Sequence, residues 1–275
     1  MKPFRNFRRA VILLSLSITL HGQPTNPDHY ANRDLLVFAP RHLPAPGTRA
    51  LVIVLHGGLG NAQRIATGQS ESALNLNAIA EQNGFLVAYL NGTPVTRLRN
   101  APMLGWNAGG GCCGQPAATN VDDVAYITGA IAYLTKKYAI DPTRIYAIGH
   151  SNGAMMAQRL ICETNVFAAA IAISGPLNLP VETCPTAHGK RILAIHGADD
   201  ANVPIAGGRG TKGLAQTAYQ SEAHSQQILT RSGATYTLQI VPGADHELDH
   251  IDAAIQRSEG ISIPQKAAKF FSLAP

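Results

Sequence analysis

A serine hydroxyl attacks a carbonyl only when a neighbouring base takes its proton, a third group orients that base, and N–H donors receive the developing oxyanion. The sequence has a candidate for each part. Ser151 sits in Gly149-His150-Ser151-Asn152-Gly153, a GxSxG pentapeptide between an apolar run, Arg144 to Ile148, and an amphipathic one, Ala154 to Cys162. A strand-to-helix turn of this kind raises the serine above the sheet on strained dihedrals, and its flanking glycines let the chain turn tightly. His246 closes Pro242-Gly243-Ala244-Asp245-His246 after a late apolar run and is expected to be the base. Asp199 and Asp200 follow Ile192 to Ile195, and Asp200 is favoured over its neighbour as the orienter. The order Ser, acid, His along the chain is one of the known triad orders. Asn152 N–H, at a helix start, and Gly58 N–H, in His56-Gly57-Gly58-Leu59-Gly60, are the expected oxyanion donors. Leu59 and His150 lie in the same two turns and are expected to touch substrate. This chemistry needs no metal or organic cofactor.

One pattern competes for the same histidine. His246-Glu247-Leu248-Asp249-His250 matches HExxH, in which two histidines one helical turn apart bind zinc and the glutamate acts as base. Against it, Pro242-Gly243 lies just upstream, and Ala253 and Gln256 stand where the extended pattern wants Gly and His. A zinc peptidase is therefore the rival enzyme class, and no metal ligand is assigned.

The elements that must position these residues alternate in type. Asp34 to Ala39, Leu51 to Leu55, Phe85 to Leu90, Arg144 to Ile148, Ala168 to Ile173, Ile192 to Ile195 and Thr235 to Val241 read as strands. Helices are expected at Ser72 to Gln82, Asn120 to Tyr138, Ala154 to Cys162, about Leu214 to Arg231, and Gln265 to Leu273. In the helix ending at Tyr138, Val124, Ile127, Ile131 and Leu134 recur at three- or four-residue spacing. Such alternation predicts a mainly parallel central sheet with helices on both faces and ligands at the carboxyl ends of the strands. Asn91 to Ala118 is a long glycine-rich excursion of the sort that usually serves function. Gly175 to Lys190 is too short for a large lid domain.

The 275 residues suit one domain, with no linker-like boundary inside. Residues 1–22, with Lys2, Arg5, Arg8 and Arg9 before an uncharged run from Ala10 to Leu20, read as an export signal, leaving 23–275 as the catalytic domain. Removing those four cations from a net charge of +5 leaves +1, which gives no reason to expect nucleic acid as partner. No stable membrane association is expected, and the location is secreted or periplasmic. Export makes the four cysteines potential disulfides. A Cys162–Cys184 bridge would staple two neighbouring loops, whereas the adjacent Cys112 and Cys113 fit a vicinal pair, free thiols or a bridge elsewhere.

With these residues in place, the sequence resembles the secreted polyhydroxybutyrate depolymerase-like esterases, a family that includes feruloyl esterases. The resemblance runs from about Ala50 to His246. It is carried by Leu55-His56-Gly57-Gly58, by Gly105-Trp106-Asn107-Ala108-Gly109 with Cys112-Cys113-Gly114, and by Val121-Asp122-Asp123-Val124. Ile140-Asp141-Pro142 before the pentapeptide and His196-Gly197 with Asp200 and Val203-Pro204 extend it. It implies an α/β-hydrolase fold, Ser151, Asp200 and His246 as the triad, and Trp106 near the substrate. The activity implied is that of an exported serine carboxylesterase acting on feruloyl-type, short-chain acyl or hydroxyalkanoate oligomer esters. Soluble aromatic or short-chain esters are favoured over a solid polymer granule. Two positions depart from the pattern: Ala198 stands where Thr is usual, and Glu247-Leu248 where an aromatic is usual. A non-catalytic binding protein of the same fold is the remaining alternative.

Overall fold

The computed structural model describes residues 25–96, 103–212 and 217–274. The export signal read at 1–22 and Leu214, the expected start of a helix, lie outside them. Eight strands form one sheet: β1 (Asn26–Tyr30), β2 (Arg33–Phe38), β3 (Arg49–Leu55), β4 (Leu86–Leu90), β5 (Ile140–His150), β6 (Ala169–Ile173), β7 (Arg191–Gly197) and β8 (Thr235–Val241). Their spatial order is β1-β2-β4-β3-β5-β6-β7-β8. β2 runs antiparallel to β1 and β4, and every other pairing is parallel.

Strand periodicity divides the core in two. Along β3, Leu51, Ile53 and Leu55 enter one hydrophobic cluster while Ala50, Val52 and Val54 enter the other. The first is roofed by α4 (Asp123–Tyr138), α5 (Asn152–Glu163) and α6 (Glu222–Arg231), which contribute Ile127, Met156 and Leu229. The second is roofed by α1 (Ala62–Ala66), α7 (Leu248–Glu259) and α8 (Ile263–Phe270), through Ile65, Ile251 and Ala267. α2 (Asn77–Asn83) adds Ala80 to the same face. This is the sheet covered on both sides that the alternating pattern predicts.

The departures have local causes. The helix expected over Ser72 to Gln82 is a single 3-10 turn, Ser72–Leu74, followed by α2. Asn75 is extended there, and its side chain accepts from Asn77 N–H, the competition with helix that asparagine offers. α6 starts at Glu222, where Ser221 caps it by accepting from His224 N–H. α8 starts two residues before the expected Gln265, on a Ser262–Gln265 capping box. β1 lacks apolar alternation because it is an edge strand that is largely solvent-facing and carries Pro27. α7 and the short α1 were not expected from the pattern, nor was α3 (Gly114–Ala118) inside the glycine-rich excursion.

Candidate active site

The carboxyl ends of β5, β7 and β8 deliver three side chains to one place. Ser151 follows β5 directly at φ 54° and ψ −120°, a conformation that side-chain-bearing residues hold only where the surroundings enforce it. Its N–H donates to Ile173 O at the end of β6 (2.8 Å), and the peptide chain turns into α5. The turn is tight enough that a Cβ on Gly149 would lie 2.3 Å from Gly153 O, and one on Gly153 would lie 2.2 Å from Leu55 O. The pentapeptide's glycines answer to close approach.

Ser151 Oγ lies 2.9 Å from His246 Nε2, and His246 Nδ1 lies 2.7 Å from Asp200 Oδ2. With the ring neutral, Nδ1–H donates to the carboxylate and Nε2 accepts from the serine hydroxyl. Burial lowers the basicity of His246, the Asp200 hydrogen bond opposes this, and the nearby His150 and His196 lower it further, so the net value is below the ordinary 6.5. Asp200 is buried and spends Oδ1 on the N–H groups of Asn202 (2.9 Å) and Val203 (2.8 Å). Burial alone would raise its pKa, but bonds from His196, His246 and the Val203 N–H hold it far below the usual carboxylate range. Asp199, the alternative acid, is exposed.

Two amides are left over for an oxyanion. In the loop after β3, Gly57 N–H donates to Glu71 Oε1 (2.9 Å), Leu59 N–H to Leu104 O (2.8 Å) and Gly60 N–H to Gly57 O (3.1 Å). Gly58 N–H has no partner among the described residues. Asn152 N–H opens α5 with no acceptor among the described residues, and a Cβ built on Gly58 would stand 3.8 Å from Asn152 Cβ, so the two residues face each other.

A cavity of about 520 Å³ opens over the serine. Leu59, Val95, Cys113, Val203 and Tyr219 line its apolar wall, and Arg64, Glu71 and Glu247 bring charge to it. His150 also faces the cavity, but its two ring nitrogens are spent inside the protein, on Glu71 Oε1 (2.8 Å) and His246 O (2.9 Å).

A second histidine supports the acid from behind. His196 on β7 is wholly buried, with Nδ1 2.8 Å from Glu222 Oε1 and Nε2 2.8 Å from Val203 O and 3.2 Å from Asp200 Oδ2. Tyr236 OH donates to the other Glu222 oxygen (2.6 Å). Burial works against the imidazolium, yet Asp200 and Glu222 raise the His196 pKa to about 9. Glu71, His196, Glu222 and Tyr236 have no role in the sequence reading. Only His196 lies in a segment that carries the resemblance, four residues before Asp200, and that segment gave it no role of its own.

A match to the model of the prolyl oligopeptidase family covers residues 114–183, which include the strand-to-helix elbow at residues 149–153. Among curated proteins, the putative esterase NocK of Nocardia uniformis subsp. tsuyamanensis is 34% identical over 167 residues, 59% of this chain and 43% of the relative. Feruloyl esterase B of Piromyces equi is 29% identical over 181 residues, 64% of this chain and 31% of the relative. The chain thus spans less than half the length of these curated relatives. The carboxylesterase of Bacillus cereus superposes with a TM-score of 0.59 at 18% identity, over 88% of this chain and 94% of the other. The fold is that of an α/β-hydrolase.

Within the α/β-hydrolase frame, several residues that carry the family resemblance hold the loop beside the elbow. Trp106, expected near the substrate, is 0% exposed and does not line the cavity. Its indole N–H donates to His56 O (2.9 Å), and its backbone N–H and C=O pair with the Asn152 amide side chain (2.7 and 3.0 Å). An amphipathic ring on a glycine-rich loop reads equally as a substrate platform, but here the loop folds inward. Asp123 accepts from Arg33 (2.6 Å) and from Asn107 N–H (2.7 Å), while Asp122 caps α4. Cys112 and Cys113 are joined to each other, and Cys162 and Cys184 form the second disulfide. Of the first pair, Cys113 reaches the cavity wall while Cys112 is buried behind it. The HExxH pattern does not lie on one helix: α7 begins at Leu248 and Glu247 is its N-cap, so His246 points to Ser151 while His250 pairs with Asp245 (2.8 Å).

Proposed function

We propose that the chain is an exported serine carboxylesterase that works through an acyl-enzyme on Ser151. The hydrogen-bonded series Ser151–His246–Asp200, ending beside the Gly58 and Asn152 amides, which have no partner among the described residues, carries this reading. In the first half-reaction His246 Nε2 takes the Ser151 proton as Oγ bonds to the ester carbonyl carbon. Gly58 and Asn152 N–H receive the oxyanion, and His246 returns the proton to the departing alcohol. In the second, water is deprotonated by the same nitrogen and releases the acid. The curated relatives include proteins named as esterases, one of them a feruloyl esterase, which supports ester over amide substrates.

The cavity of about 520 Å³, walled by Leu59, Val95, Cys113, Val203 and Tyr219, suits feruloyl-type, short-chain acyl or hydroxyalkanoate oligomer esters. A hydrolysis panel of p-nitrophenyl acetate, methyl ferulate and hydroxybutyrate oligomers ranks these classes. Ser151→Ala is expected to lower kcat by at least about 10⁴-fold and to abolish labelling by a fluorophosphonate. Turnover surviving that substitution would falsify the serine mechanism. Full activity lost to a chelator and retained by Ser151→Ala would instead favour the histidine pair His246 and His250.

A further inference from the structure

We propose that Glu71 and His150 form a carboxylate–imidazolium clamp in the wall of the cavity, which ties the oxyanion loop to the main chain of the catalytic base and keeps that base neutral. The inference rests on the reading of Ser151, Asp200 and His246 as a triad.

The hydrogen-bond inventory makes His150 a cation. Its Nδ1 lies 2.8 Å from Glu71 Oε1, a carboxylate oxygen, and its Nε2 lies 2.9 Å from His246 O, a carbonyl. Both partners only accept. A neutral imidazole has one N–H and would set a lone pair against a lone pair at the other contact, so two N–H groups are required. His56, close by, shows the contrast: its Nε2 accepts from Gly92 N–H (3.1 Å) and its Nδ1 faces Gly57 O (2.7 Å), which a neutral ring satisfies. Burial disfavours the charge on His150, but the Glu71 bond outweighs it and its pKa is raised.

The same Glu71 oxygen that binds His150 also accepts Gly57 N–H at 2.9 Å. One carboxylate therefore anchors the residue before the proposed oxyanion donor Gly58 and, through His150, the backbone of His246. The fit is close: a Cβ on Gly57 would lie 2.8 Å from Glu71 Oε1, and one on Gly60 would lie 2.9 Å from Oε2. Glu71 itself is held at φ 49°, in the left-handed region that a glutamate occupies only when its surroundings enforce it.

The clamp is electrostatic as well as steric. The His150 ring centre is 5.0 Å from that of His246. The charged or titratable groups facing His150 are Glu71, His246 and Glu247 at the start of α7, with His56 beyond Glu71. Those facing His246 are Asp200, His196 and His150. Asp200 draws a proton onto His246 while the two cationic histidines oppose it, and a neutral Nε2 is what the first step needs. His150 and Glu71 are positioning residues, since neither touches the reacting atoms.

The test compares the full chain with Glu71→Gln and His150→Gln on p-nitrophenyl acetate, alongside Ser151→Ala. Each clamp variant is expected to lose roughly ten- to a hundredfold in kcat with little change in KM. The acidic limb of its kcat/KM profile moves to higher pH, further in His150→Gln, because loss of the adjacent cation lets His246 keep its proton. Nitrogen-15 spectra of the unsubstituted protein are expected to show both ring nitrogens of His150 protonated at pH 7. A single ring proton there, or active variants with an unmoved pH profile, overturns the clamp. If a variant fails to fold, the His150 spectrum of the unsubstituted protein decides alone. Absence of Ser151-dependent hydrolysis defeats the triad reading separately, since the ring spectrum does not depend on turnover.

Discussion

Asp200 accepts on both oxygens, and the two oxygens have different purposes. Oδ1 fixes the loop through Asn202 and Val203 N–H, while Oδ2 fixes the His246 tautomer. Asp200→Asn keeps the first pair of bonds but offers His246 no anion, so kcat is expected to fall about 10⁴-fold with KM little changed, as steady-state kinetics will report. Because burial and two neighbouring histidines hold His246 below 6.5, kcat/KM should stay level through pH 7 and decline only on the acid side of 6.5. Trp106→Phe removes one buried hydrogen bond to His56 O and ring volume without touching the cavity. It is expected to cost about 1–3 kcal/mol in denaturant unfolding and to leave KM unchanged. Ser151 and His246 were legible from the motif and chain order. Asp200 could be preferred to Asp199 but was separated from it only by burial, which adjacent residues in a loop do not announce.

At the scale of elements, the elbow works because β3, β5 and α5 approach within contact of backbone atoms. Gly153→Ala puts a methyl group 2.2 Å from Leu55 O, so the variant is expected to lose more than about 2 kcal/mol of stability or fail to fold, measured by thermal melting. The Cys162–Cys184 bridge spans 22 residues, from the end of α5 to the segment before β7. Replacing both cysteines by alanine is expected to cost about 3 kcal/mol by freeing the unfolded chain, with kcat at 25 °C retained. The pairing could be anticipated because both cysteines flank neighbouring strands. The left-handed conformation of Glu71, just before the Ser72 to Gln82 segment, could not, because its carboxylate is held by Gly57 and His150, 14 and 79 positions away.

The whole molecule stores part of its stability in buried ion pairs, which makes that stability depend on pH. His196 has its pKa raised to about 9, so its contribution is fully present below the unfolded value of 6.5 and is lost as pH rises toward 9. Asp200 is shifted the other way, so its contribution is present above the ordinary 3.8 and is lost as pH falls below it. Urea midpoints should therefore show a plateau between these limits. Above it the His196 contribution declines by on the order of 3 kcal/mol, each pKa unit being worth about 1.4 kcal/mol.

What the sequence determined by itself is whatever depends on short-range pattern: the alternation of strands and helices, the two-faced sheet, the elbow, and the order of serine, acid and histidine. Periodicity and turn chemistry act over a few residues, and so they can be read from a few residues. What only the tertiary structure decided depends on contacts between distant segments. Glu71 meets His150 across 79 positions, His196 meets Glu222 across 26, and Trp106 turns inward onto Asn152 across 46. Such contacts arise where the sheet's carboxyl edge gathers its loops, and the buried charges there are tolerated because each finds its partner in a different element.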